Sequence, residues 1–291
     1  MESKVWTVLE ILKWTENYFQ QNKIDPPRLD AELLLSHLLG LTRLQLYLQY
    51  DRPLSDQERL DYKVMIKRRV NHEPVQYITG EAYFMGLCFK ANNSVLIPRP
   101  ETELLVEKAI DFIKGVNVTS VIDVGTGSGA IAVTIAHFIP DRKVLASEIS
   151  NEALDVAREN AKNLGVADRV EFRHGDLLEP WLSDLKPADN VLILANLPYV
   201  REREWAELTP EVKDYEPRAA LVSGPEGTAH YERFIAQLGK AACPFTVLLE
   251  MGIAQTDPLT QLFRRAFSQV DLKIFKDLSG KERLLMIRQD R

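Results

Sequence analysis

The chain has 291 residues, 45% of them hydrophobic and 27% charged, with a net charge of −6, so it can bury a sizeable core and fill about two domains. No stretch approaches the roughly 18 uncharged apolar residues of a membrane span, which leads us to expect a cytoplasmic protein, and a monomer. Cys88 and Cys243 form no CxxC unit and read as small apolar fillers, and the five scattered histidines make no HxH or HExxH spacing, so neither a disulfide nor a metal site is expected.

Residues 1–72 read as a small helical domain. The N-terminal stretch through Phe19 mixes apolar and charged residues at helical spacing: Val5, Val8, Leu9 and Leu12 fall at i, i+3, i+4 and i+7, and Ala31, Leu34, Leu35 and Leu38 repeat the pattern, one apolar stripe per helix. Gly40 stops the second helix. Ser55 and Glu58 have capping-box spacing and open a helix through Val64 to Val70. Its Arg59, Lys63, Lys67, Arg68 and Arg69 form one basic face, which is either solvated surface or a contact for an acidic patch on a partner.

Residues 73–97 change to short aromatic and β-branched segments punctuated by Gly80, Gly86 and Asn92-Asn93, predicting a β-hairpin linker. Pro98 and Pro100 restart the chain for the third segment, 98–291, with Pro100, Glu101 and Glu103 suited to the first turn of a helix. Apolar runs then alternate with helical patterns: SVIDVG (120–125), a helix near 129–138, KVLASE (143–148), a helix near 151–164, VEFRHGD (170–176) and VLILAN (191–196). Strands joined by crossover helices predict a doubly wound parallel α/β sheet. FTVLLEM (245–251), a helix near 255–267, VDLKIF (270–275) and RLLMIR (283–288) complete the chain. The last two strands are too close for a crossover, which predicts an antiparallel terminal hairpin.

Asp123 is followed by Val124-Gly125-Thr126-Gly127-Ser128-Gly129-Ala130 where the first strand of the sheet meets a helix. Glycines there allow a tight turn and close approach of the backbone to a ligand, and Glu148, ending the next strand, is placed to take both hydroxyls of a ribose. Gly125-x-Gly127-x-x-Ala130 also satisfies the dinucleotide fingerprint. Gly129, Gly175-Asp176 after the third strand and Asn196-Leu197-Pro198-Tyr199 after the fourth favour another ligand. Together with the terminal hairpin they resemble the class I, Rossmann-like S-adenosylmethionine-dependent methyltransferases. That resemblance implies S-adenosyl-L-methionine held by Gly125, Thr126, Gly127, Ser128, Gly129, Glu148, Asp176 at the adenine amine, Leu177 as an apolar contact, and Asn196.

Asn196, Leu197, Pro198 and Tyr199 then form the acceptor site, with Asn196, Pro198 and Tyr199 catalytic. A primary amide or an exocyclic amine conjugated to a π-system is a poor nucleophile because its lone pair is delocalised. Two acceptors, the Asn196 side-chain oxygen and the carbonyl of residue 197, can each hold one N–H and turn the lone pair toward the methyl group. Tyr199 offers an aromatic wall. Pro198 keeps residue 197 extended, and Leu197 is expected to act through its carbonyl alone.

Five stretches narrow the resemblance to the HemK/PrmC glutamine methyltransferases: Glu73–Gly80, Leu96–Glu103, Asp123–Ala130, Tyr215–Leu221 and Leu249–Gly252. The family usually has proline where Leu197 stands. Membership implies that the acceptor is the glutamine of the Gly-Gly-Gln motif in peptide chain release factors, recognised in part by the N-terminal domain. The other acceptor compatible with the tetrapeptide is adenine N6 in rRNA or DNA. Residues 1–72 hold 11 Lys/Arg and 10 Asp/Glu, leaving 25 and 32 for residues 73–291, a net of −7. Tracking phosphates needs a basic groove, so no direct nucleic-acid contact is expected. Arg99, Glu101 and Arg218 either shape the mouth of the site or pair with each other.

Overall fold

The structure, a computed structural model, describes residues 5–290; the part of the predicted N-terminal pattern on residues 1–4 lies outside them. The chain divides into two units, residues 1–81 with 209–215, and residues 82–208 with 216–291.

The first unit is helical: α1 (Val8–Gln21), α2 (Pro27–Leu39), α3 (Arg43–Leu48), α4 (Asp56–Val70) and α5 (Val75–Thr79). Capping boxes at Thr7, Thr42 and Ser55 satisfy the first N–H groups of α1, α3 and α4, and Gly40, at φ 62°, ends α2. The predicted stripes meet in one core containing Val8, Leu12, Leu34, Leu35 and Tyr62; Val5 lies ahead of α1 and is exposed. Residues 75–79, expected within a β-hairpin linker, form α5 instead, because Val75 and Ile78 bury one turn apart in that helical core.

The basic face predicted on α4 forms only in part, with Arg59, Lys63 and Lys67 bordering one groove. Arg69 is 3% exposed and bonds Asp30 of α2 at 2.6 Å and Glu211, Arg68 bonds Glu73, and Arg59 bonds Asp56, leaving Lys63 and Lys67 exposed on that helix. A buried guanidinium requires carboxylate partners, which moves Arg69 from surface to core.

The second unit begins inside the hairpin of β1 (Glu81–Phe84) and β2 (Leu87–Lys90), a two-stranded sheet of its own. There follow α6 (Pro100–Gly115), β3 (Ser120–Val124), α7 (Ala130–Phe138), β4 (Val144–Glu148), α8 (Asn151–Asn163), β5 (Val170–His174) and β6 (Val191–Ala195). After α9 (Pro210–Tyr215), which belongs to the first unit, come α10 (Ala229–Leu238), β7 (Phe245–Glu250), α11 (Thr256–Ala266), β8 (Asp271–Lys276) and β9 (Glu282–Gln289). The seven-stranded sheet has the order β5-β4-β3-β6-β7-β9-β8. Its first five strands are parallel, and β9 runs antiparallel to both β7 and β8. The terminal hairpin therefore lies inside the sheet through β9, with β8 at the edge.

Every side chain of β6 and β7 is buried, as expected of central strands covered on both faces. Chain order reverses between β3 and β6, and in such sheets ligands bind in the crevice outside the carboxyl ends of the strands at that point. Cys243 is buried, but Cys88, on β2, is exposed and is not a core filler. Among the described residues no helix is long and apolar enough to cross a membrane.

Candidate active site

The loop from β3 to α7 is built to present backbone. Gly125, Gly127 and Gly129 have φ of 70°, 55° and 82°, a region that L side chains rarely adopt. A Cβ at Gly127 would meet no protein atom within 4 Å, whereas one at Gly129 would stand 3.2 Å from Ala157 and Val133. Gly127 thus faces open space, and Gly129 lets α7 close onto α8. Thr126 and Ser128 are buried. The Thr126 hydroxyl donates to Asp123, which also accepts the N–H of Ala132, and the Ser128 carbonyl accepts from Asn160 Nδ2 at 2.9 Å, so these two residues brace the loop from behind. Burial pushes the Asp123 carboxyl up to about 7, with those hydrogen bonds opposing.

Glu148 ends β4 beside this loop. Its Oε2 accepts the N–H of Gly127 at 3.0 Å, and its Oε1 accepts the N–H groups of Ile149 and Ser150 at 2.8 and 3.0 Å. Three of the roughly four lone-pair sites of the carboxylate are therefore taken by backbone.

Asp176 follows β5 and is held from α10: its Oδ1 pairs with Arg233 at 3.0 Å and its Oδ2 accepts from Gln237 Nε2 at 3.1 Å. Gln237 also accepts the Leu178 N–H at 2.8 Å. Neither Arg233 nor Gln237 was identified from sequence. Leu177 has a φ of 51°, uncommon for a branched residue; its side chain is buried and its carbonyl accepts from Ser147 Oγ at 2.6 Å.

Asn196 leaves the carboxyl end of β6. Its Nδ2 donates to Thr102 Oγ1 at 3.0 Å, and that hydroxyl donates to Glu250 Oε2, at the end of β7, at 2.7 Å. A small cavity bounded by Arg99, Asn196, Pro198, Tyr199, Leu221 and Glu250 lies here. Burial pushes the Tyr199 phenol up to about 12, so at neutral pH it is a protonated wall and no base. The Tyr199 carbonyl accepts from Gln255 Nε2 at 3.1 Å, and a Cβ at Gly252 would stand 3.0 Å from the Tyr199 ring, which gives that glycine its place.

Leu197 is 1% exposed, with a methyl 3.4 Å from where a Cβ on Gly125 would be. Its side chain fills core between the two loops. Arg99, Glu101 and Arg218 do not pair with each other: Arg99 bonds the buried Glu216 at 2.6 Å, joining the Leu96–Glu103 and Tyr215–Leu221 stretches, and Arg218 bonds Glu202 at 2.9 Å and lies over the Trp205 ring.

Sheet order, the glycine loop, the acidic strand end and the Asn-Leu-Pro-Tyr corner define a Rossmann-like methyltransferase of class I. A methyltransferase domain model matches residues 121–215, and the PrmC N-terminal domain model matches residues 10–80. The release factor glutamine methyltransferase of Chlorobaculum tepidum is 47% identical over 79% of this chain and 80% of its own. That of Rhodopirellula baltica is 37% identical over 98% and 97%, and that of Bacillus subtilis 37% identical over 96% of each chain. The chain belongs to the release factor glutamine methyltransferase family. In fold alone it is similar to the hMettl16 catalytic domain in complex with MAT2A 3'UTR hairpin 6, with a TM-score of 0.53 and 17% identity over 81% of this chain and 84% of the other.

Proposed function

We propose that this protein transfers a methyl group from S-adenosyl-L-methionine to the side-chain amide nitrogen of the glutamine in the Gly-Gly-Gln motif of peptide chain release factors. The residues fit that cofactor: the open space in front of Gly127 adjoins the Glu148 carboxylate, and a Cβ there would fill it. Gly125, Gly127 and Gly129 line the cofactor with backbone, Thr126 and Ser128 hold the loop, Glu148 takes the ribose hydroxyls, and Asp176 with Leu177 meets the adenine. To receive both hydroxyls, Glu148 exchanges the Gly127 N–H for ligand.

When bound, the cofactor supplies an electrophilic methyl group on a sulfonium. The observation that carries the acceptor reading is the orientation of Asn196. Its amide nitrogen is spent on Thr102, so Oδ1 is the atom that accepts an incoming N–H. The Leu197 carbonyl accepts the second N–H, and together they turn the lone pair of the glutamine nitrogen out of conjugation. Pro198 fixes the direction of that carbonyl, and Tyr199 walls the flat amide. No strong base is required, because the nitrogen becomes acidic only once it has gained the methyl group, and it then releases its proton to water.

The net charge of −7 over residues 73–291 and membership in a protein-modifying family disfavour the adenine reading. The test is transfer from labelled cofactor with a purified release factor and naked rRNA offered separately. Label is expected in the protein; label in the RNA with none in the protein would replace this reading with the adenine one.

A further inference from the structure

Asn196 is chemically ambiguous, because its amide presents an acceptor in one flip and donors in the other. Only the first suits an incoming N–H. Two groups with no assigned role select it. Thr102 stands in the first turn of α6 and is 4% exposed; Glu250 ends β7 and is 1% exposed. In the parallel register Ala195 lies opposite Leu249, so Asn196 and Glu250 leave adjacent strand ends, and Thr102 closes the gap between them. A hydroxyl has one proton to give. With that proton on Glu250 Oε2, the Thr102 oxygen can only accept from Asn196, and it accepts Nδ2.

We propose that Glu250 and Thr102 are positioning residues that lock Asn196 in the flip whose Oδ1 receives the substrate amide. This rests on the acceptor reading above. The relay runs in that direction while Glu250 is ionised. Once protonated, the carboxyl can donate to Thr102, whose own proton is then free to turn to Asn196 and stabilise the opposite flip. Burial pushes Glu250 up to about 7; Thr102, Arg283 and Arg99 act to lower it and Glu101 to raise it. The phenols of Tyr199 and Tyr231, both raised by burial, complete its surroundings; that of Tyr231 donates to the Glu250 carbonyl.

Turnover at saturating cofactor and release factor tests the proposal. Thr102→Val should lower kcat by about 10- to 100-fold, less than the roughly 100- to 1000-fold lost with a direct preorganised contact because Thr102 acts only through Asn196, with cofactor affinity by calorimetry unchanged, and Thr102→Ser should restore it. Combined with Asn196→Ala, Thr102→Val should add little further loss. The wild-type kcat should fall as pH drops through about 7, and Glu250→Gln should flatten that limb. An acceptor-independent readout is the side-chain amide resonance of Asn196: its protons should be protected from exchange in the wild type and Thr102→Ser and unprotected in Thr102→Val. Protection without any transfer to the release factor would overturn the proposed function and leave the relay standing. Wild-type kcat in Thr102→Val, a fully additive double variant, or an unprotected Asn196 amide in the wild type would each overturn the relay.

Discussion

Glu148 carries more of the cofactor reading than any other side chain, because three backbone N–H groups fix its carboxylate at the strand end. Glu148→Ala should weaken S-adenosyl-L-methionine binding by on the order of 1–3 kcal/mol, the value of a charge-assisted hydrogen bond. Gly127→Val should also weaken it, because its side chain enters the open space and strains the φ of 55° that the loop needs there; thermal unfolding of the variant separates lost binding from lost folding. Wild-type calorimetric affinity in both variants would remove the assignment. Asp123 supplies a different signature. Its folded-state carboxyl is raised from 3.8 to about 7, so the stability it contributes is complete below about pH 4 and is lost as pH rises through 7. At about 1.4 kcal/mol per unit the loss is on the order of 4 kcal/mol. Asp123→Asn, which cannot ionise, should flatten the dependence of unfolding free energy on pH between about 4 and 7 relative to wild type; parallel curves would contradict it. These residues are legible in sequence because each belongs to a contiguous motif. Gln237 lies in no such motif, and Thr102, although inside the Leu96–Glu103 stretch, has a role that sequence does not reveal, since their partners Asp176 and Asn196 lie 61 and 94 residues away.

Secondary elements with one dominant period emerge from sequence almost unchanged. The strands predicted at 120–125, 143–148 and 191–196 form at Ser120–Val124, Val144–Glu148 and Val191–Ala195, because a buried parallel strand is a short apolar run with a turn at each end. Helix α10 was missed although Tyr231, Phe234, Ile235 and Leu238 bury at i, i+3, i+4 and i+7; it follows a loop-rich stretch with no alternation to place it. Helix α4 misled for another reason, since charge spacing does not reveal which arginine meets carboxylates from distant segments. Arg69 joins α2 and α9 through Asp30 and Glu211. Arg69→Leu should destabilise the protein by about 3–5 kcal/mol, because removing one partner of a buried pair strands the other charge. Adding Asp30→Leu should recover much of that loss in urea unfolding. A single variant as stable as wild type would show that the pair does not hold α2.

At the scale of the whole molecule, the order of strands and motifs was legible, and the partition of the chain was not. The segment 209–215 returns to the first unit, where Tyr215 donates to the Asn71 carbonyl at 2.7 Å; nothing in seven residues announces a contact across 144 positions. The acidic charge of the catalytic segment and the acceptor corner after β6 bear on the same question, which atom gains the methyl group. Tandem mass spectrometry of a release factor after single-turnover transfer answers it most directly. The account predicts one added methyl group on the side-chain nitrogen of the Gly-Gly-Gln glutamine, and none when that glutamine is replaced by alanine. A methyl group on any other residue, or labelling that survives the replacement, would contradict it.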